Sequence, residues 1–247
     1  MKTILEICAA DIDSAYAAAA GGADRIELCC ALSEGGLTPS LGMTDEALLL
    51  KDIPVNVLIR PRSGDFLYSD SELMTMARDI VLCRECGANG VVFGILTPEG
   101  DVDKGACRLL ANMAGDLHKT FHRAFDMCRD PRQAVRDIID LGFDRILTSG
   151  QAATAMEGAD LIRDLQAEFP EITFIAAGGV TPGNAAEIVR RTGVREIHAS
   201  AKATVRSNMV YRNPAVSMGT PGADEFSRAT TSAAIVRMIN DQLSMIN

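Results

Sequence analysis

Gly142-Phe143-Asp144-Arg145-Ile146-Leu147 carries the pattern from which the fold is read. A glycine closes a helix in the left-handed conformation, the apolar residue after it packs back on the last turn, and a strand begins just beyond. The pattern recurs at Gly22-Ala23-Asp24-Arg25-Ile26-Glu27-Leu28, at Gly87-Ala88-Asn89-Gly90-Val91-Val92-Phe93 and at Gly193-Val194-Arg195-Glu196-Ile197-His198. Between these instances lie further apolar, β-branched runs at Ile4–Cys8, Val55–Ile59, Thr120–Phe125 and Thr173–Ala177. Strands are therefore predicted to start near residues 4, 25, 55, 91, 120, 145, 173 and 196.

Each gap between strand starts has room for one helix. Helical periodicity is clear in Asp13–Ala20, Asp70–Cys86, Arg132–Leu141, Leu161–Phe169 and Ala185–Arg191. Strand and helix alternating at this spacing mean a parallel sheet covered by helices. The chain of 247 residues has no Pro- or Ser-rich break, and about 250 residues is the usual size of a closed barrel of this kind. We therefore expect one domain over residues 1–247, a single (β/α)8 TIM barrel, with a small modification of the regular barrel near the C-terminal loop.

Composition narrows the function classes. Hydrophobic residues make up 47% and charged residues 23%, a globular balance. No run approaches the ~18 apolar residues needed to cross a bilayer. The start Met1-Lys2-Thr3-Ile4-Leu5-Glu6 turns acidic before any signal-peptide core develops, so a cytoplasmic protein with no membrane partner is expected. The net charge is −9, without a basic run, and there is no Trp. Neither a phosphate-neutralising patch nor a stacking platform is available to nucleic acid.

Alternation along the strands sorts their side chains into two faces. Strand 1 sets Leu5 and Ile7 against Glu6 and Cys8, and strand 2 sets Ile26 and Leu28 against Arg25, Glu27 and Cys29. Strand 3 opposes Val55, Val57 and Ile59 to Leu58, Arg60 and Arg62. Strand 5 opposes Thr120, His122, Ala124 and Asp126 to Phe121 and Phe125, with Arg123 interrupting the apolar parity. Strand 8 opposes Glu196, His198 and Ser200 to Ile197 and Ala199. The apolar parity belongs against the helices and the polar parity inside, so Glu6, Glu27, Arg60, His122, Asp126 and His198 are expected at the C-terminal mouth, where barrel active sites form. An ion-pair plug, with Glu6 and Glu27 neutralising Arg60 and Arg62, is the structural alternative.

Strands 6, 7 and 8 end in small residues: Ser149-Gly150, Gly178-Gly179 and Ser200-Ala201. Open backbone N–H groups there are candidates for a phosphate-binding loop, although a glycine pair also makes an ordinary tight turn. The loops Glu34–Ser40, Arg60–Asp70 and Ser207–Gly219 are long, and the aromatic residues Phe66, Tyr68 and Tyr211 in two of them suit closure over a small ligand.

Glu6-Ile7-Cys8 and Glu27-Leu28-Cys29 repeat one pattern on neighbouring strands. Strands lie ~4.8 Å apart, close to two metal–sulfur bonds of roughly 2.3 Å. A soft ion such as Cu(I) suits that thiol pair. Neighbouring inward side chains occupy different layers, which is expected to lengthen the sulfur–sulfur gap, and buried Cys is also a common core residue. Cys83 and Cys86 form a lone CxxC at a helix end and read as packing, while Cys30, Cys107 and Cys128 carry no signal.

Long segments of the chain resemble the copper homeostasis protein family CutC. They are Gly22–Cys29 (GADRIELC), Glu34–Ser40 (EGGLTPS), Ile59–Asp70 (IRPRSGDFLYSD), Thr120–Met127 (TFHRAFDM), Leu147–Gln151 (LTSGQ) and Tyr211–Gly219 (YRNPAVSMG). The resemblance implies a (β/α)8 barrel, a cytoplasmic location, a homodimer or higher homo-oligomer, and copper ion binding through Cys8 and Cys29. The residues themselves also admit an enzyme acting on a small anionic or phosphorylated metabolite. In that reading His122 or Glu27 is the general acid/base, Arg60 and Arg123 clamp an anion, and Glu6 and Asp126 orient them, with His198 in the same group.

Overall fold

The computed structural model describes residues 2–213, 215–216 and 224–246. Among them, parallel strands β1 (Ile4–Ala9), β2 (Arg25–Leu28), β3 (Val55–Leu58), β4 (Gly90–Phe93), β5 (His118–Phe121), β6 (Arg145–Thr148), β7 (Thr173–Ala176) and β8 (Glu196–Ala199) close into a barrel, with β8 pairing back to β1. The helices are α1 (Ile12–Gly21), α2 (Leu41–Ala47), α3 (Asp70–Cys86), α4 (Lys104–Ala114), α5 (Pro131–Asp140), α6 (Ala159–Glu168), α7 (Ala185–Thr192) and α8 (Ala233–Ser244). No described helix is long and apolar enough to cross a membrane.

The repeated glycine works as its neighbours suggest. Gly22, Gly87 and Gly193 close α1, α3 and α7 at φ 86°, 87° and 73°. The apolar parity of the strands (Leu5, Ile7, Ile26, Leu28, Val55, Val57 and Ile59) is wholly buried and belongs to one large core with residues of the helices. The barrel interior holds much less apolar matter. Cys8, Cys29, Leu58 and Val92 form one small cluster and Leu147, Ile175 and Ala177 another.

Two expectations change. The alternation expected through Asp126 stops at Phe121, because Arg123–Met127 forms a 3-10 turn capped by the His122 side chain. This turn, rather than an extended strand, aims Arg123 and Asp126. The anticipated irregularity near the C-terminus is a hairpin between β8 and α8, with β9 (Lys202–Arg206) antiparallel to β10 (Ser227–Thr231). It is tied to α1 through Ser14 Oγ and Thr230 Oγ1 at 2.9 Å. Of the loop Ser207–Gly219, Pro214 and Ser217–Gly219 lie outside the described residues. Tyr211 is exposed and does not line the cavity at the mouth.

Candidate functional site

The lowest inward layer is ionic. Arg25 donates from Nε to Glu6 and from Nη2 to Glu196, each at 2.5 Å, and Arg145 Nε lies 3.3 Å from the same Glu196 carboxylate. Glu6 is 1% exposed and does not line the mouth cavity. It sits one layer below the mouth, so the expected pairing of Glu6 with Arg60 or Arg62 is replaced by pairing with Arg25. Burial opposes ionisation of Glu6, but Arg25 and then His198 overcome it and hold its pKa at about 2. Arg25 had appeared in the polar parity of strand 2. Its role was not evident there because only the barrel's closure brings β8 and its Glu196 beside it.

His198 links this layer to the mouth. Its Nδ1 lies 2.8 Å from Glu6 Oε1, and its Nε2 lies 3.8 Å from Glu27 Oε2. Burial pulls the imidazole pKa down, yet Glu27 and Glu6 more than offset that and raise it. Burial, followed by the nearby Glu6 charge, raises Glu27 against the opposing pull of His198. The two groups thus form a buried acid–base pair facing the cavity.

The thiols meet closely. Cys8 Sγ lies 3.4 Å from Cys29 Sγ, nearer than the layer argument suggested. Cys8 has Glu27 as its register partner, and just beyond β2 the Cys29 N–H donates to the Ala9 carbonyl at 2.9 Å, which keeps Cys29 alongside β1. Cys29 is fully buried, whereas Cys8 reaches the cavity. The hydrogen bond with Cys29, together with burial, raises the Cys8 thiol well above its ordinary value. Cys8, Glu27 and His198 also bring one sulfur, one carboxylate oxygen and one imidazole nitrogen within 4.8 Å of one another.

A cavity of about 770 Å³ opens above these groups. Its walls include Cys8, Glu27, Arg60, Phe66, His122, Arg123, Asp126, Gly178, Gly179, His198, Ser200 and Ala201. Ser149 and Gly150 are wholly or nearly buried and do not line it. The β6 arm of the expected phosphate loop is already filled by the protein's own carboxylate. Asp126 accepts from Ser149 N at 3.0 Å, Gln151 N at 3.2 Å and Thr148 Oγ1 at 2.5 Å. Arg123 donates to Asp126 and to Ser149 Oγ, both at 2.7 Å, so its charge is compensated. Gly178 and Gly179, both left-handed at φ 95° and 72°, remain on the cavity wall with Ser200 and Ala201.

Arg60 and His122 are 6% and 4% exposed. Arg60 gives Nη1 to the carbonyls of Glu34 and Gly36 and Nη2 to that of Gly64, at 2.7, 2.9 and 2.8 Å. His122 Nδ1 accepts the Ala124 N–H at 3.2 Å. Burial and then the Arg60 charge push the imidazole pKa down to about 3. A neutral ring with Nδ1 as acceptor carries its proton on Nε2, which fits a hydrogen-bond donor better than the general base expected of it. Phe66 stands against both, 4.8 Å from the imidazole centroid and 5.2 Å from Arg60 Cζ.

A profile of the CutC family matches residues 3–203. The family protein CutC of Chromobacterium violaceum is 48% identical over 98% of this chain and 99% of its own. The human copper homeostasis protein cutC homolog is 45% identical over 96% and 88%. The crystal structure of the CutC protein from Streptococcus agalactiae superposes with a TM-score of 0.76 at 35% identity, covering 80% of this chain and 98% of that one.

Proposed function

Because the chain belongs to the CutC family, a copper homeostasis family by the name of its human member, we propose that it takes Cu(I) as cargo at Cys8 and Cys29. The observation that carries this reading is the 3.4 Å approach of Cys8, which lines the open cavity, to the fully buried Cys29. Two metal–sulfur bonds in a straight line span about 4.6 Å, so the sulfurs as they stand suit a bent arrangement with a further donor. His198 and Glu27 supply candidates beside Cys8. Thiolate sulfur favours a soft ion such as Cu(I), and imidazole is also a copper ligand. Thiols must lose protons to bind, so uptake is expected to release them.

The seven cysteines are free thiols, in keeping with a cytoplasmic, reducing setting, and a homodimer belongs to the same proposal. The test is a Cu(I) titration of the reduced protein against a chromophoric competitor, beside the Cys8→Ser/Cys29→Ser variant. Stoichiometric binding by the unaltered protein alone supports the reading. Equal behaviour of the two proteins removes it.

A second reading is favoured by a different observation. Glu27 and His198, 3.8 Å apart and raised in pKa, give the cavity a pair able to hold and pass a proton. This suits an enzyme acting on a small anionic or phosphorylated metabolite. Turnover lost in Glu27→Gln and retained in Cys29→Ser would separate it from copper handling.

A further inference from the structure

Four arginines reach the barrel interior or its mouth from the strands and the turns after them: Arg25, Arg145, Arg123 and Arg60. Arg25, Arg145 and Arg123 each pair with a carboxylate. Arg60 pairs with none among the described residues, although it is almost fully buried. Its guanidinium is held by loop carbonyls, with Phe66 and Tyr68 beside it and no carboxylate, and its Nε–H is buried with no partner. A buried charge without a counter-ion is costly, and here the loops after β2 and β3 converge to hold it in place.

His122 presents a second vacant donor on the same wall. Its Nδ1 is committed to the Ala124 N–H, its proton is therefore on Nε2, and Nε2 too is buried without a partner. Both residues line the cavity, and Phe66 packs on both. Two buried, unsatisfied N–H donors, one charged and one neutral, on side chains that line the same cavity beside Phe66 are complementary to an oxyanion.

We propose that Arg60 and His122 form a subsite for the carboxylate of a small organic acid, whose carbon chain then extends across the cavity toward Glu27 and His198. At this pair the protein offers one positive charge and one neutral donor, which balances a monoanion. A phosphate dianion would leave an uncompensated negative charge in the same buried space. The inference deepens the enzyme reading by naming its substrate class, and it is independent of copper.

The test measures binding, so that it stands apart from turnover. The probes are pyruvate and inorganic phosphate at millimolar concentration, followed by ligand-observed NMR on the whole chain. His122→Asn keeps an acceptor for the Ala124 N–H but has no donor where Nε2 stands, and His122→Gln carries an amide donor to that position. Pyruvate is expected to bind the unaltered protein, to bind His122→Asn about tenfold more weakly, and to recover most of its affinity in His122→Gln. Should either variant fold poorly, the Nε2–H resonance of His122 in the unaltered protein is expected to shift on adding pyruvate. No pyruvate binding, equal binding by His122→Asn, or an unmoved Nε2–H resonance overturns the subsite. Preference for phosphate overturns its assignment to carboxylates. Carboxylates that bind here but are never turned over would leave the subsite standing and remove only the enzyme reading.

Discussion

Glu6 Oε1 and His198 Nδ1 meet at 2.8 Å across the seam where β8 closes on β1. That contact sets the imidazole so that its other nitrogen faces Glu27. It joins the ionic layer below to the cavity above, making His198 answerable to a residue that never touches the cavity.

Glu6→Gln is expected to lower the His198 pKa, read by NMR titration of the imidazole, because one of the two charges raising it is gone. It also strips Arg25 of one of its two carboxylates, at an expected loss of about 3 kcal/mol in urea unfolding at neutral pH. With the folded Glu6 pKa held near 2, its stabilising contribution is present above the unfolded carboxyl value near 4.5 and disappears as pH falls toward 2. The Glu6→Gln variant should lose that part of the acid dependence.

His122 acts in another pH window. The unfolded imidazole takes up a proton near 6.5, while the folded one resists until about 3. Lowering the pH therefore favours the unfolded chain. The His122 contribution amounts to about 1.4 kcal/mol of stability lost between about pH 7.5 and about pH 5.5. Other groups titrate there, so the quantity to measure is the difference in slope between the unaltered protein and His122→Gln. Equal slopes would show that the folded imidazole takes up its proton in the same range as the unfolded one.

Gly158 packs so closely on the β6 loop that an added Cβ would stand 2.0 Å from the Ser149 carbonyl oxygen. Gly158→Ala is expected to cost more than about 3 kcal/mol and to disturb the Asp126 hydrogen bonds to Ser149 and Gln151. Chemical denaturation checks the first effect. Loss of the low-field amide resonances of those two residues checks the second.

Ala31, Gln151 and Ala201 are non-glycine residues with positive φ, at 49°, 54° and 44°, and each follows a barrel strand at the mouth. The left-handed conformation costs an L-residue roughly 1–2 kcal/mol. Ala31→Gly relieves this at an exposed site, offset in part by the greater freedom of glycine in the unfolded chain. A net gain of about 0.5 kcal/mol in unfolding free energy is expected, and a loss would mean that the Ala31 methyl group packs usefully.

Strands β2, β4, β6 and β8 were legible because a glycine junction marks where a helix stops and the strand starts, and β1, β3, β5 and β7 because short apolar, β-branched runs stand between those junctions. The helices α2, α4 and α8 were not picked out by periodicity. The seven residues of α2 are too short a run to display a period, and α8 is separated from β8 by the hairpin. At the site, alternation correctly placed Glu27, Arg60 and His198 on the inward face. It failed beyond Phe121, where a 3-10 turn takes over, and it could not reveal pairings that depend on closure. Arg25 with Glu196 is such a pair, 171 residues apart. Nor could alternation show that Asp126 would occupy the N–H groups of Ser149 and Gln151 that otherwise resemble an anion loop.

The ionic layer joins residues from both ends of the barrel sequence. Glu6 and Arg25 leave the ribosome early and can pair as soon as β1 and β2 meet, whereas Arg145 must wait for Glu196 on the last barrel strand. A nascent chain halted before β8 would carry a guanidinium in its interior with no carboxylate to receive it, along with two open strand edges. Such a truncated chain would expose unpaired strand edges, the kind of surface through which partly folded chains aggregate. The last barrel strand thus supplies both the carboxylate that Arg145 pairs with and the edge that closes the sheet on β1.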